Sequence, residues 1–95
     1  MISIVIPVFN NGAAMVRECH AALGAALATL SEPAEIIFVD DGSRDDTLDA
    51  LKAIQRADPR VRVLEFAANF GQHAAFSAGF DAVRGDVVVT MDVDL

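Results

Sequence analysis

"EIIFVDDGSRDDT", Glu35 to Thr47, is the stretch on which the fold turns. Its first half, through Asp40, carries the β-branched and aromatic run of a strand covered on both faces. Its second half is acidic and small, a composition that favours turns and helix starts. A buried strand breaking into a polar turn and then a helix is the repeating unit of a parallel α/β sheet. Ser43 and Asp46 fit the capping-box pattern, so the next helix is expected to be capped from its own turn. Leu48, Leu51 and Ile54 mark one face of that helix, and Asp58-Pro59 ends it.

The unit recurs on both sides. Upstream, "SIVIPVF", Ser3 to Phe9, is a buried strand broken by Asn10-Asn11-Gly12. A helix is predicted over Ala13 to Leu30, with Met15, Val16, Cys19, Leu23, Leu27 and Leu30 as its apolar stripe. Downstream, Val61 to Phe66 alternates as a third strand. Gly71 to Val83 is a small-residue helix, and Asp86 to Met91 a fourth strand, also expected to be buried. The order βαβαβαβ predicts an open, mostly parallel Rossmann-like α/β sheet with right-handed crossovers.

In such sheets ligands bind beyond the carboxyl ends of the strands. Strand one ends in "PVFNNG", strand two in "DDGS" and strand four in "MDVD", so Asp40, Asp41, Asp92 and Asp94 are expected on one rim. Like charges gathered there repel unless a cation joins them. If the fourth strand runs on through Asp92 and Asp94, both side chains point the same way, roughly 7 Å apart. Two hard oxygen ligands so placed suit Mg²⁺ or Mn²⁺. A carboxylate at 40 or 41 can accept hydrogen bonds from a base or a ribose, and Phe9 can stack on a planar ring. Gly71 permits close approach, and the helix start beside it favours an anion; His73 reads equally as a hydrogen-bond partner for a phosphate or as a surface residue near a helix start. Neither a GxGxxG fingerprint nor a P-loop is present. His20, in mid-helix, is read as structural.

Composition narrows the classes. The chain has 95 residues, 54% of them hydrophobic and 22% charged, which fits a packed core and not a disordered segment. A net charge of −7 argues against a nucleic-acid partner, which calls for a basic surface. The lone Cys19 rules out an intramolecular disulfide and is read as a core residue. No charged leader precedes a signal-like apolar stretch, and no run approaches the roughly 18–20 apolar residues of a membrane span. A cytoplasmic location is expected.

Taken in order, "SIVIPVFNN", "EIIFVDDGSRDDT", "NFGQHAAFSAGFDAVRGD" and "VVTMDVDL" resemble the family 2 glycosyltransferases with a GT-A fold. They are most similar to enzymes that load a sugar onto a polyprenyl phosphate, such as the dolichyl-phosphate mannose synthases and undecaprenyl-phosphate glycosyltransferases. The resemblance implies inverting transfer from a nucleotide-diphosphate sugar, dependent on Mg²⁺ or Mn²⁺. Pro7 and Phe9 match positions that frame the base, and Asp41 matches a base contact. Gln72 falls near the donor diphosphate, where many relatives carry Lys or Arg. Asp92 and Asp94 match the D-x-D, both as metal ligands, with Asp92 also approaching the ribose. The family usually has Glu after "P-x-Y-N", so Asn11 replaces an acidic donor contact with an amide.

Family enzymes run on past the D-x-D into an acceptor half. Residues 1–95 are therefore expected to be the N-terminal, nucleotide-sugar-binding part of a longer domain, with no catalytic residue and no turnover of its own. The parent is placed at the cytoplasmic face of the membrane, and an uncovered part of the sheet is expected to invite self-association. Two other readings compete. One is a response-regulator receiver with Asp92 as phosphoacceptor, against which a whole βα unit precedes the acidic pair. The other is a non-catalytic nucleotide-binding module.

Overall fold

The computed structural model describes residues 1–94. Strands β1 (Ile2–Val8), β2 (Ala34–Asp40), β3 (Val61–Glu65) and β4 (Val87–Thr90) alternate with helices α1 (Ala13–Leu27), α2 (Thr47–Ala57) and α3 (Gln72–Ala82). The strands form one sheet in the order β3-β2-β1-β4, every pair parallel. The predicted architecture is therefore the one observed.

Strand alternation sorts the core into two layers. Ile4, Ile6, Val8, Ile36 and Phe38 face Val16, Cys19 and Leu23 of α1 and Leu51 and Ile54 of α2. Val5, Ile37 and Val39 face the other way, onto Ala75 of α3. Because α1 and α2 lie on one face and α3 on the other, the winding reverses between β1 and β4. That reversal opens a crevice at the carboxyl ends of those two strands.

Pro7 sharpens the opening. Odd-numbered residues of β1 direct their backbone groups toward β4, as the bond from the Met91 N–H to the Val5 carbonyl shows. The next bond on that side would need an N–H at residue 7, and proline has none. The β1–β4 pairing ends at Val5 and Thr90.

Three expectations change. The stripe on α1 is narrower than its periodicity suggested: the helix ends at Leu27, and Met15 and Leu30 are exposed. The capping box on α2 does not form, since the helix has no side-chain cap from Asp46. Asp46 Oδ1 instead accepts from the Ala13 N–H (2.9 Å) and Thr47 Oγ1 from the Gly12 N–H (2.9 Å), so the turn before α2 caps the start of α1. Finally, β4 is a short edge strand and not a buried one. Val87, Val88 and Val89 are 52%, 42% and 42% exposed.

At the opposite end of the sheet, a buried polar cluster closes the α3–β4 loop. Glu35 Oε2 accepts from Ser3 Oγ and from the Arg84 N–H (both 2.6 Å), and Oε1 accepts from Arg62 Nη1 (2.8 Å). Burial pushes the Glu35 carboxyl up, but these bonds outweigh it and hold the group below the usual range. Its contribution to stability is thus full above the unfolded value of about 4.3 and is lost as pH falls through the lower folded value. Glu35→Gln is expected to cost about 2 kcal/mol at pH 7. The gap in Tm between wild type and variant should shrink as thermal unfolding is followed from pH 6 down to pH 3.

Candidate functional site

The crevice at the β1–β4 reversal is a cleft of about 360 Å³. Pro7 and Phe9 line it from the end of β1, Asn11 from the loop that follows, and Asp41 from the end of β2. Gln72 comes from the start of α3, and Asp92 and Asp94 from the turn after β4. The seven residues that the resemblance matches to donor and metal contacts thus border one space. Val8, Asn69, Gly71 and Val93 complete the wall.

Each side chain has a local reason for its place. Phe9 stands 44% exposed at the rim, because β1 ends before it and Asn10 turns the chain in the left-handed region (φ 50°). The Asn10 side chain accepts from the Arg44 N–H (2.8 Å), and the Asn10 N–H donates to Ser43 Oγ (2.9 Å), which ties the first rim loop to the second. Asn11 Oδ1 is turned back onto the Phe9 N–H (2.8 Å), where it tightens the turn.

The two acids of the second turn part company. Asp40, the last residue of β2, is 1% exposed and borders a separate cleft on the α2 side, with Ser43, Arg44 and Glu65. Burial pushes its carboxyl above the usual range, against the bonds from Ser43. Asp40 thus stands at the carboxyl rim with the other three acids but does not share their cleft, because successive residues at a strand end point to opposite faces. Asp41, 4% exposed, turns toward α3. Its Oδ1 accepts from the Phe70 N–H (2.7 Å), and its Oδ2 from the Gly71 N–H and Asn69 Nδ2 (each 2.9 Å). Asn69 was not singled out in the sequence. Its signal was weak, because an amide in a loop says nothing of a partner 28 residues away.

Asp92 and Asp94 are exposed, and the Val93 between them is buried in the α1–α2 core layer. The condition that β4 run on through them is not met: the strand stops at Thr90, Asp92 follows it without regular structure, and residues 93–94 lie in a turn in which Val93 is buried. Both acids still face the cleft, and Gln72 Nε2 approaches Asp92 Oδ1 at 3.5 Å. Among the described residues no group of three or more His, Cys, Asp or Glu side chains is placed to hold a metal. Two carboxylates are the partial set that suits Mg²⁺ or Mn²⁺ shared with substrate phosphates and water. His73 lies exposed in the first turn of α3, outside the cleft lining. His20 is tied by Nε2 to Asp58 Oδ2 (2.9 Å), which Arg60 also grips, a structural role. No described helix is long and apolar enough to cross a membrane.

Strand order also removes the receiver reading. A receiver's sheet runs 2-1-3-4-5, which sets its two acid-bearing strands side by side. Here β2 and β4 are separated by β1.

Comparison with known proteins agrees. The family model described as Glycosyl transferase family 2 matches residues 3–95. The chain is 46% identical over 95 residues to the undecaprenyl-phosphate 4-deoxy-4-formamido-L-arabinose transferase of Pseudomonas syringae pv. syringae, covering 99% of this chain and 28% of that protein. It is 37% identical over 93 residues to the uncharacterized glycosyltransferase YkcC of Bacillus subtilis, covering 98% and 28%. Among solved structures, the mannosyltransferase PcManGT from Pyrobaculum calidifontis, in complex with GDP-Man and Mn²⁺, superposes with a TM-score of 0.82 at 21% identity. That match covers 98% of this chain and 27% of that one. TarS of S. aureus in complex with UDP-GlcNAc superposes with a TM-score of 0.74 at 23% identity, covering 98% and 26%. At such identities the structural likeness speaks for the fold alone. The chain spans about 28% of the length of the curated relatives it matches. With the family model running over nearly every residue, the chain belongs to glycosyl transferase family 2.

Proposed function

We propose that this chain is the donor-binding part of an inverting glycosyltransferase that takes its sugar from a nucleotide diphosphate with the help of Mg²⁺ or Mn²⁺. The observation that carries the reading is the convergence of Pro7, Phe9, Asn11, Asp41, Gln72, Asp92 and Asp94 on one cleft at the reversal of the sheet. Phe9 offers a ring face to a base. Asp92 and Asp94 supply carboxylate oxygens from beyond the end of β4, and Gln72, at the start of α3, offers an amide beside Asp92. A bound divalent cation would neutralise the diphosphate as it leaves.

In this reading an acceptor oxygen forms a bond to the anomeric carbon while the bond to the diphosphate oxygen breaks, its electron pair leaving with the nucleotide. The names of the most similar relatives favour a polyprenyl phosphate as acceptor, and its own phosphate oxygen would then be the nucleophile. Acceptor binding is assigned to the length that the relatives have beyond this match, at the cytoplasmic face of the membrane.

Calorimetric titration of the full-length protein with UDP and GDP, each with and without Mn²⁺, tests the donor reading. Binding of one nucleotide that requires the metal is expected. Asp94→Asn should weaken that binding at least about tenfold, since it removes a metal ligand, while Tm stays within about 2 °C because the side chain is exposed. A folded wild-type protein that binds neither nucleotide would count against the site.

A further inference from the structure

We propose that Asn10 is a positioning residue, which locks the loop after β1 to the turn after β2 and so sets the ring of Phe9 against the carboxylate of Asp41 in the donor cleft. This rests on the donor reading above and adds what holds its base end together.

Phe9 and Asp41 line the cleft from the ends of different strands. The ring offers a face to a base. The carboxylate offers an edge contact: of its roughly four acceptor positions, the Phe70 N–H, the Gly71 N–H and Asn69 Nδ2 fill three. A planar base held by both groups needs them at a fixed spacing. The β1–β2 ladder carries that spacing only as far as the bond from the Asp41 N–H to the Val8 carbonyl (2.9 Å). Beyond it the two segments part. Packing does not fix the ring either, since Phe9 is 44% exposed. Its N–H goes to Asn11 Oδ1, inside its own loop.

Asn10 rejoins the two segments. Its N–H donates to Ser43 Oγ (2.9 Å) and its Oδ1 accepts from the Arg44 N–H (2.8 Å), across 33 and 34 residues of sequence. Both bonds depend on the turn that Asn10 makes at φ 50°, a left-handed conformation that a short amide side chain tolerates. None of Asn10, Ser43 and Arg44 lines the donor cleft. They border the neighbouring cleft of about 490 Å³, and Phe9 stands in the wall of both. Asn10 therefore reaches a donor through Phe9 and not by touching it.

Titration of the full-length protein with UDP and GDP in Mn²⁺ tests the assignment. Asn10→Gly keeps the left-handed turn accessible and removes only the side-chain acceptor, while Ser43→Ala removes the partner of the Asn10 N–H. Each is expected to lose about tenfold in affinity for the preferred nucleotide. Asn10→Asp retains both the acceptor and the turn, and should stay within about threefold of wild type. Phe9→Leu removes the ring face and should also lose about tenfold. The decisive protein combines Phe9→Leu with Asn10→Gly. If Asn10 acts through the ring, the pair binds as Phe9→Leu does alone, within about twofold, whereas a merely structural role would add the two losses. Four results overturn the assignment: additive losses in the pair, an Asn10→Asp protein as weak as Asn10→Gly, unaltered affinity in Asn10→Gly and Ser43→Ala, or unaltered affinity in Phe9→Leu. A folded wild type that binds neither nucleotide overturns the donor reading itself, and this inference with it.

Discussion

Replacing Gly42 with alanine is expected to destabilise the protein by about 4 kcal/mol. Two independent costs combine. The residue sits at φ 79°, a left-handed conformation in which a Cβ meets its own backbone. A Cβ there would also run into the Ala68 carbonyl carbon and lie 2.6 Å from the Asn69 nitrogen. Those atoms are backbone and cannot rotate away, so the β3–α3 loop must move bodily. Gly12 provides the comparison, because it has φ 87° but nothing within 4 Å of the place a Cβ would take. Gly12→Ala should therefore carry only the conformational cost, about 1–2 kcal/mol. Denaturant unfolding of both variants measures the difference. Nucleotide affinity should fall in Gly42→Ala alone, because the loop it displaces is the one that carries Asn69 and Gly71 into the wall of the cleft. Equal stabilities for the two alanine variants would show that the loop yields more freely than its contacts imply.

Gly79→Ala is expected to cost about 3 kcal/mol, although in an exposed helix the same change stabilises by about 1 kcal/mol. The reason is the closeness of α3 to the sheet. A Cβ at 79 would overlap Val5 Cγ1 and fall 3.4 Å from Val39 Cγ2. Both valines belong to the central strands and are fully buried, so neither has free volume into which to turn. A double-mutant cycle isolates the contact: Val5→Ala removes the offending methyl group and should recover part of the loss, so that the two changes together cost less than their sum. Strict additivity would place the cost of Gly79→Ala elsewhere than at Val5.

How legible the fold was depended on the range of the forces involved. The strands at Ile36 to Val39 and Ile4 to Val8 announce themselves because nearly every residue is apolar and most are β-branched, which is a property of the segment alone. The fourth strand carries the same signature in Val87 to Val89, yet it lies exposed. Its apolar pattern reports what a segment can bury and says nothing of whether a neighbour is there to bury it. Ser43 and Asp46 likewise match a capping pattern by spacing, but Asp46 serves Ala13, which lies 33 residues away. The side chain took the nearest unpaired N–H in space, and that N–H belonged to another helix.

By itself the sequence determined the order of elements, the parallel sheet they must form and the rim on which the polar strand ends gather, because periodicity and turn chemistry act between near neighbours. The strand-end rule brought Asp41, Asp92 and Asp94 to one rim, and the family resemblance added Pro7, Asn11 and Gln72; with Phe9 they line one cleft. Only the tertiary structure decided that, among the described residues, α3 is the helix on the second face, that Asp40 and Asp41 serve different clefts, and that the D-x-D flanks a buried Val93 just past β4. It alone decided that Asp41 grips the loop before α3. These are matters of which group meets which across the sheet, and they are settled by packing and hydrogen-bond satisfaction between segments far apart in the chain.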